Sequence, residues 1–273
     1  MRRARRTTGR TDRARRHRAG RTATLASALA LCLTPTAQAT QTAKLGAAFS
    51  PYRLGARTTI VFSFSIAAGS GQLPAALTDV DIEYPQNLGI VLSGLGLEVC
   101  SAAILEANGT NGCPTDSVMG GGYAIAQMRF GQQLVSEHAS ISIARAPDEA
   151  GHIALLLYAT GPSPVDTQIL SPAQLVPAEG PFGGQLNIQL PLVPSVPDAP
   201  DVAIVQMQAT IGPRGILYEE RVGDNVLTYT PKGILLPNAC PKGGFQFAAQ
   251  FTFVDGTHQM TRTAIPCPAR RRR

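Results

Sequence analysis

Apolar and polar residues alternate with a period of two in several short stretches of the chain, which is the pattern of half-buried β-strands. The clearest of these stretches cover residues 60–66, 80–84, 139–143, 186–190 and 205–211. Residues 153–159 are apolar at almost every position, which is typical of a central strand covered on both faces. Segments rich in proline and glycine separate the stretches, as turns between strands require. The pattern therefore predicts an all-β domain.

The end of the chain predicts one hairpin residue by residue. Five apolar residues between Phe245 and Phe253 alternate onto one face, and Asp255-Gly256 is a signal for a two-residue type I′ turn. A loop of two residues pairs Phe253 with His258 and thereby fixes all the other pairs of the hairpin. Cys267 then falls opposite Gly244, so the chain after Cys240 has to fold back.

One segment predicts a helix. Residues 101–107 read Ser-Ala-Ala-Ile-Leu-Glu-Ala, which are good helix formers, and Gly109 follows them. Together with the strand pattern, this predicts a single antiparallel β-sandwich, jelly-roll or Ig-like, over residues 58–268. The short helix near residues 101–107 is its one exception to β structure.

The positive charge of the chain is concentrated at its two ends. The 273 residues carry a formal net charge of +6, but residues 1–39 hold ten arginines and one aspartate, and residues 270–273 are four more arginines. Residues 40–269 therefore carry a net charge of −7. Because nucleic-acid binding depends on Lys and Arg placed against phosphates, we expect no nucleic-acid partner.

Residues 1–39 show the three parts of a secretory signal peptide. An arginine-rich stretch precedes an apolar core at residues 25–33, and Ala37-Gln38-Ala39 provides small residues for cleavage after Ala39. The core is far shorter than the ~20 residues of a membrane-spanning helix. The long basic stretch also leaves open that the start codon is placed too early. We expect a lead-in at residues 40–57, a basic tail at residues 269–273, and a mature protein that is secreted or held at the cell envelope without spanning the membrane.

Four cysteines follow the predicted signal: Cys100, Cys113, Cys240 and Cys267. An even number of cysteines in an exported chain indicates disulfides, and four cysteines allow three pairings. We favour the two local pairs, Cys100 with Cys113 and Cys240 with Cys267, because each brackets a compact segment. The alternative is a zinc site with four thiolate ligands, but the Cys-x-x-Cys spacing typical of such sites is absent.

Two stretches are similar to a known group of proteins. Cys100 opens a short helix that ends near Gly109, and a Cys113-Pro114 loop with Ser117 and three glycines at 120–122 follows. The second stretch runs from Cys240-Pro-Lys-Gly-Gly through Phe-Thr-Phe-Val-Asp-Gly at 251–256 to Pro266-Cys267. Both resemble secreted proteins of unknown function from high-GC actinobacteria, over roughly residues 58–268. The resemblance implies a secreted β-sandwich with two disulfides and carries over no catalytic residue.

No motif in the chain indicates catalysis. Gly-x-Ser-x-Gly and His-Glu-x-x-His are both absent, so we assign no catalytic residue and no cofactor. The candidate ligand or metal residues are Asp79, Asp81 and Glu83, on one face of a strand, and His138, His152 and His258, on separate predicted strands or at their ends. Three carboxylates can bind calcium, although a solvated edge strand explains them more simply. The histidines form a metal site only if the fold brings them together.

The preferred hypothesis is a non-catalytic binding or structural module of the cell envelope, with an envelope polymer or protein as partner. One alternative is an envelope hydrolase or metal-dependent enzyme whose residues converge only in three dimensions. Another is a weak calcium- or glycan-binding module, for which Tyr123, Tyr218 and Tyr229 are the candidate aromatic platforms.

Overall fold

The computed structural model describes residues 41–69, 72–89, 92–161, 167–193 and 202–268. The predicted signal peptide and the basic tail lie outside these residues. The described strands are β1 (Thr42–Ser50), β2 (Arg57–Ala67), β3 (Leu77–Pro85), β4 (Val118–Phe130), β5 (Gln133–Arg145), β6 (Ile153–Gly161), β7 (Thr167–Val176), β8 (Phe182–Gln189), β9 (Ala203–Ile211), β10 (Tyr218–Val222), β11 (Asn225–Tyr229), β12 (Ile234–Leu235), β13 (Phe245–Phe253) and β14 (His258–Ile265). The helix is α1 (Ala102–Asn108). The predicted all-β class is confirmed, since the strands pair antiparallel and α1 is short.

Twelve of the described strands belong to one sheet rather than to two separate layers. Its order is β1-β2-β9-β4-β5-β6-β7-β8-β3-β13-β14, with β12 added beside β2. The sheet is nearly closed, because its edge strands β1 and β14 lie beside each other. Gln41 bridges this seam, donating to the Thr257 hydroxyl at 3.3 Å and accepting from the Ala75 amide at 2.8 Å. Curling buries the apolar face that a sandwich would bury between two sheets.

Phenylalanines of β2 and β13 form the centre of the core. Phe247 and Phe251 of β13 are fully buried on the inner face. Their rings lie 5.5 Å from Phe62 and 5.0 Å from Phe64 in edge-to-face arrangements. The alternation of β13 therefore points its phenylalanines inward, as the sequence predicts.

The predicted register of the last hairpin is wrong by one residue. Phe251 pairs with Gln259, not with Met260, and Phe253 pairs with Thr257 across a loop of three residues. Asp255 accepts hydrogen bonds from the Thr257 amide and hydroxyl, and Gly256 has φ +78. This is the longer Asp-Gly turn, in which the glycine takes the left-handed conformation. Met260 is therefore on the outer face, 63% exposed.

The predicted helix is confirmed as α1. The Ser101 hydroxyl caps it by accepting from the Ile104 amide at 3.4 Å, and Gly109 ends it with φ +62. Leu105 is buried against outward-facing residues of β5 and β6, including Leu156. This contact explains why β6 is apolar on both faces.

Both predicted disulfides are confirmed. The Cα atoms of Cys100 and Cys113 lie 5.3 Å apart, and those of Cys240 and Cys267 lie 5.8 Å apart. The chain after Cys240 folds back through Gly243 and Gly244, which have φ +85 and +82. Such angles are open to glycine and strained for other residues.

Two segments differ from expectation. Residues 40–57, predicted as a lead-in, contain the edge strand β1, which pairs along its whole length with β2. The three glycines at 120–122 lie inside β4 rather than in the loop before it, and the β9 backbone approaches too closely to leave room for a Cβ at Gly120 or Gly122. Among the described residues, no helix is both long and apolar enough to cross a bilayer.

Candidate functional site

An apolar cavity lies inside one end of the nearly closed sheet, and we call it the alanine cavity. Its volume is about 90 Å³. Its floor is made by four alanines on the inner faces of β4, β5 and β6: Ala124, Ala126, Ala139 and Ala159. Their methyl groups are too small to fill the space that larger inward-facing residues fill elsewhere in the core. The floor is therefore a consequence of small residues at neighbouring inward positions.

Larger apolar residues surround the floor. Met207 of β9 and Ile169 of β7 form parts of the walls, and residues 190–193, directly after β8, cover the cavity. The cover is held by two backbone hydrogen bonds, from the Leu190 amide to the Thr78 carbonyl at 2.8 Å and from the Val202 amide to the Val193 carbonyl at 2.9 Å. Ser171 is the one polar side chain among the described lining residues. A cavity with such a lining excludes water and accepts apolar groups.

Glu137 is not a lining residue of the alanine cavity but is the next inward-facing residue of β5 beside it. It is on β5, two residues before Ala139 on the same inward face, and pairs across the ladder with Ala126. Its side chain is only 7% exposed, and its Oε1 atom packs over Gly161 of β6, where any Cβ would collide with it. Oε1 has no hydrogen-bond partner among the described residues. A buried carboxyl oxygen without a partner is costly, and it marks the position as a candidate binding group.

Burial raises the pKa of the Glu137 carboxyl above its ordinary value of 4.5. The folded protein thus holds this proton to a higher pH than the unfolded chain does. Stability is therefore lost as the pH rises from about 4.5 through the raised pKa, since only the unfolded state ionises freely in that window.

We expect Glu137→Gln to remove this loss of stability. The variant should lose less free energy of unfolding than wild type between about pH 4 and about pH 7, because the amide does not ionise. Urea unfolding at the two pH values measures the difference. Glu106→Gln, on the exposed surface of α1, is the matched control and should keep the wild-type pH dependence. Equal pH dependence in wild type and Glu137→Gln would contradict the assignment.

A second concavity of about 320 Å³ lies beside the Cys240–Cys267 disulfide. Prolines form much of its wall, with Gln86, Asn87 and Gln246 as amide groups. Lys242 is the one titratable side chain among its described lining residues. The concavity therefore lacks a partner for acid–base chemistry.

The three acidic residues of β3 were expected on an edge strand. Instead, β3 is an interior strand of the sheet, paired with β8 on one side and β13 on the other. Asp79, Asp81 and Glu83 pair with glutamine and asparagine residues of β8 and with residues of β13. The pKa of Asp81 is raised above its ordinary value, mainly by burial and also by the nearby charge of Asp79. A hydrogen bond from the Gln185 side chain opposes this shift. Alternate residues of a strand lie about 6.5 Å apart, too far for one ion to bind all three carboxylates at 2.3–2.6 Å.

The histidines are not brought together. His138 is on the outer face of β5, His152 is in the turn before β6, and His258 begins β14, with five strands of the described sheet between β5 and β14. His258 Nδ1 lies 3.1 Å from the Thr252 hydroxyl, within hydrogen-bond distance. Among the described residues, no three His, Cys, Asp or Glu side chains form a group that could hold a metal ion.

The candidate tyrosine platforms are largely committed to other contacts. Tyr218 is fully buried, accepting from the Gly96 amide at 2.8 Å and donating to the Val118 carbonyl at 2.7 Å. Tyr229 stacks edge-on against Tyr218 at 5.9 Å. Tyr123 is 37% exposed, and its hydroxyl accepts from the Gln206 side chain at 3.3 Å. The rings do not form a shared flat surface of the kind that sugars stack on.

The burial of Glu137 was not predicted, although the sequence contains a signal for it. Glu137 continues the inward positions Ala139, Ile141 and Ile143 by one step, so it is a charged residue on an apolar face. Fold and cavity together define an all-β domain with an internal apolar cavity. No family model, curated protein or solved structure matches the chain.

Proposed function

We propose that the protein is a non-catalytic binding module, exported to the cell envelope or beyond it, that binds a small apolar group in the alanine cavity. The observation that carries this proposal is the apolar cavity itself, with its alanine floor and its cover of residues 190–193. Natural cores are close-packed, and an unfilled cavity costs stability, so a retained cavity favours a ligand-binding role.

The chemistry of the described concavities supports binding rather than catalysis. Acid–base or nucleophilic catalysis needs at least two polar groups that converge on one reacting atom. The described lining of the alanine cavity contains no titratable side chain, with Glu137 next to it, and that of the second concavity contains Lys242. Neither described lining thus brings together the pair of groups that a catalytic mechanism needs.

The two disulfides support the exported location. Disulfides persist in oxidising compartments and are rare in reducing ones, so the two cystines fit the predicted signal at residues 1–39. We also infer that opposite walls of the nearly closed sheet act as the two layers of a sandwich. Ile60 of β2 and Leu186 of β8 line one small internal void of about 30 Å³ and so face each other. The jelly-roll or Ig-like type stays a prediction.

Xenon tests the proposed function because it enters dry apolar cavities. We expect xenon pressure to shift the ¹³C-methyl NMR signals of Ala124, Ala126, Ala139 and Ala159 in the full chain, with the shifts saturating as the site fills. Ala139→Leu fills the cavity and should remove the saturable shifts. Exposed Ala102 on α1 is the internal control, and its methyl signal should not show saturation. Floor methyls that respond no differently from Ala102 would overturn the proposal.

A further inference from the structure

We propose that Glu137 binds the ammonium group of an aminoalkyl ligand whose short apolar chain occupies the alanine cavity. This inference rests on the proposed function, since it names the class of ligand for the same site. It follows from three features of the described residues: the size of the cavity, its apolar lining, and the unpartnered carboxyl oxygen of Glu137, whose neighbours Ala126 and Ala139 belong to that lining.

The volume of the cavity limits the apolar part of the ligand. An apolar cavity of about 150 Å³ holds a benzene ring. In proportion, a cavity of about 90 Å³ holds an apolar group of roughly three or four carbons. The ligand is therefore a short alkyl amine or the aminoalkyl end of a larger molecule.

The position of Glu137 places the polar end of the ligand. Its ladder partner Ala126 lines the cavity, and so does Ala139, two residues further along the same face. Its Oε1 atom lies over Gly161, which follows the floor residue Ala159 by two positions on β6. A chain lying on the alanine floor therefore ends beside the carboxyl group.

The chemistry of the carboxyl group selects a cation. A buried carboxylate oxygen accepts hydrogen bonds, yet Oε1 has no partner among the described residues, and the adjacent Ala126, Ala139 and Gly161 have no side-chain donor to offer it. A primary ammonium donates three hydrogen bonds and brings the opposite charge, which gives shorter and stronger hydrogen bonds than a neutral donor. A hydroxyl group donates only one, without the charge.

Binding of n-propylamine and n-propanol to the full chain tests the inference, because the two probes differ only in the polar group. We expect both to shift the methyl signals of the alanine floor at about neutral pH and matched ionic strength. The amine should bind at least about tenfold more tightly, since an ammonium pairs with the carboxylate as ion with ion, whereas the hydroxyl is a neutral donor to it. In Glu137→Gln the two affinities should agree within about twofold, because the amide has no charge to pair with the ammonium.

The controls separate this inference from the proposed function. Glu106→Gln removes an exposed carboxylate and should keep the tenfold preference for the amine. Equal binding of amine and alcohol in wild type, or a preference that survives Glu137→Gln, overturns the ammonium site while the cavity keeps its function. If neither probe shifts the floor methyls and xenon does not either, the proposed function itself fails. Amine binding that leaves the floor methyls unshifted is surface binding and also overturns the inference.

Discussion

Phe251→Ala is expected to lower the free energy of unfolding by about 3–5 kcal/mol. Phe251 is fully buried on the inner face of β13, and its ring packs at 5.0 Å against Phe64 of β2. Truncation removes the contacts of a whole aromatic ring and leaves a cavity that the paired strands cannot collapse into. Urea unfolding followed by circular dichroism measures the loss, and an unchanged denaturant slope shows that the unfolding reaction is the same.

The matched control is Met260→Ala on the neighbouring strand β14. Met260 is 63% exposed on the outer face, so its truncation should cost no more than about 0.5 kcal/mol. In the register with a two-residue loop, Met260 would instead face the core beside Phe251, and its loss would cost several times more. The pair of variants therefore tests both the core and the corrected register. A loss below about 1 kcal/mol for Phe251→Ala contradicts the described core.

Replacing both Cys240 and Cys267 by alanine is expected to cost about 3.5 kcal/mol. The disulfide spans a sequence separation of 27 residues that includes β13 and β14. In the chain-entropy model, opening a loop of that length increases the entropy of the unfolded chain and so lowers the free energy of unfolding by this amount. The bond also holds the end of β14 next to the seam, where the Tyr52 hydroxyl donates to the Pro266 carbonyl at 2.7 Å. Thermal and urea unfolding under non-reducing conditions measure the loss.

The corresponding variant of Cys100 and Cys113 is the control for this experiment. Its separation of 13 residues predicts a slightly smaller loss of about 3 kcal/mol, and it leaves β13 and β14 intact. Non-reducing peptide mapping of wild type should return the two local pairs. A loss below about 1 kcal/mol for the Cys240 and Cys267 variant, or a crossed pairing in the peptide map, would contradict the described closure of the hairpin.

Local features were predictable from the sequence. The alternation in residues 60–66 and 186–190 depends on neighbours two positions apart, and it was confirmed as β2 and β8. The cap at Ser101, the glycine at 109 and both cysteine pairs also depend on short separations along the chain. These elements follow from local geometry and chain entropy, which a single sequence contains.

The order of the strands was not predictable. β9 lies between β2 and β4, and β3 lies between β8 and β13, so the sheet is built from pairings between distant segments. Curvature of the nearly closed sheet results from those pairings rather than from any one strand. For the same reason the four floor alanines, which come from three strands, gave no local sign of a shared cavity.

The predicted loop length at Asp255-Gly256 was wrong for a more specific reason. The same dipeptide fits hairpin loops of two and of three residues, and the choice depends on contacts outside the hairpin. Here the Val254 amide donates to the Ala76 carbonyl at 2.9 Å, which draws Val254 out of the ladder. The shift of one residue changed every predicted cross-strand pair, although the faces of β13 itself were predicted correctly.

The proposed function and the ammonium site both require the alanine cavity to be an open space. A crystal structure of the protein under xenon pressure tests for this space, because xenon is located by its anomalous scattering. We expect a xenon peak above the methyl groups of Ala124, Ala139 and Ala159, beneath residues 190–193, and no such peak in Ala139→Leu. An alanine floor without a xenon peak, or one covered by side chains that fill the space, would contradict this expectation.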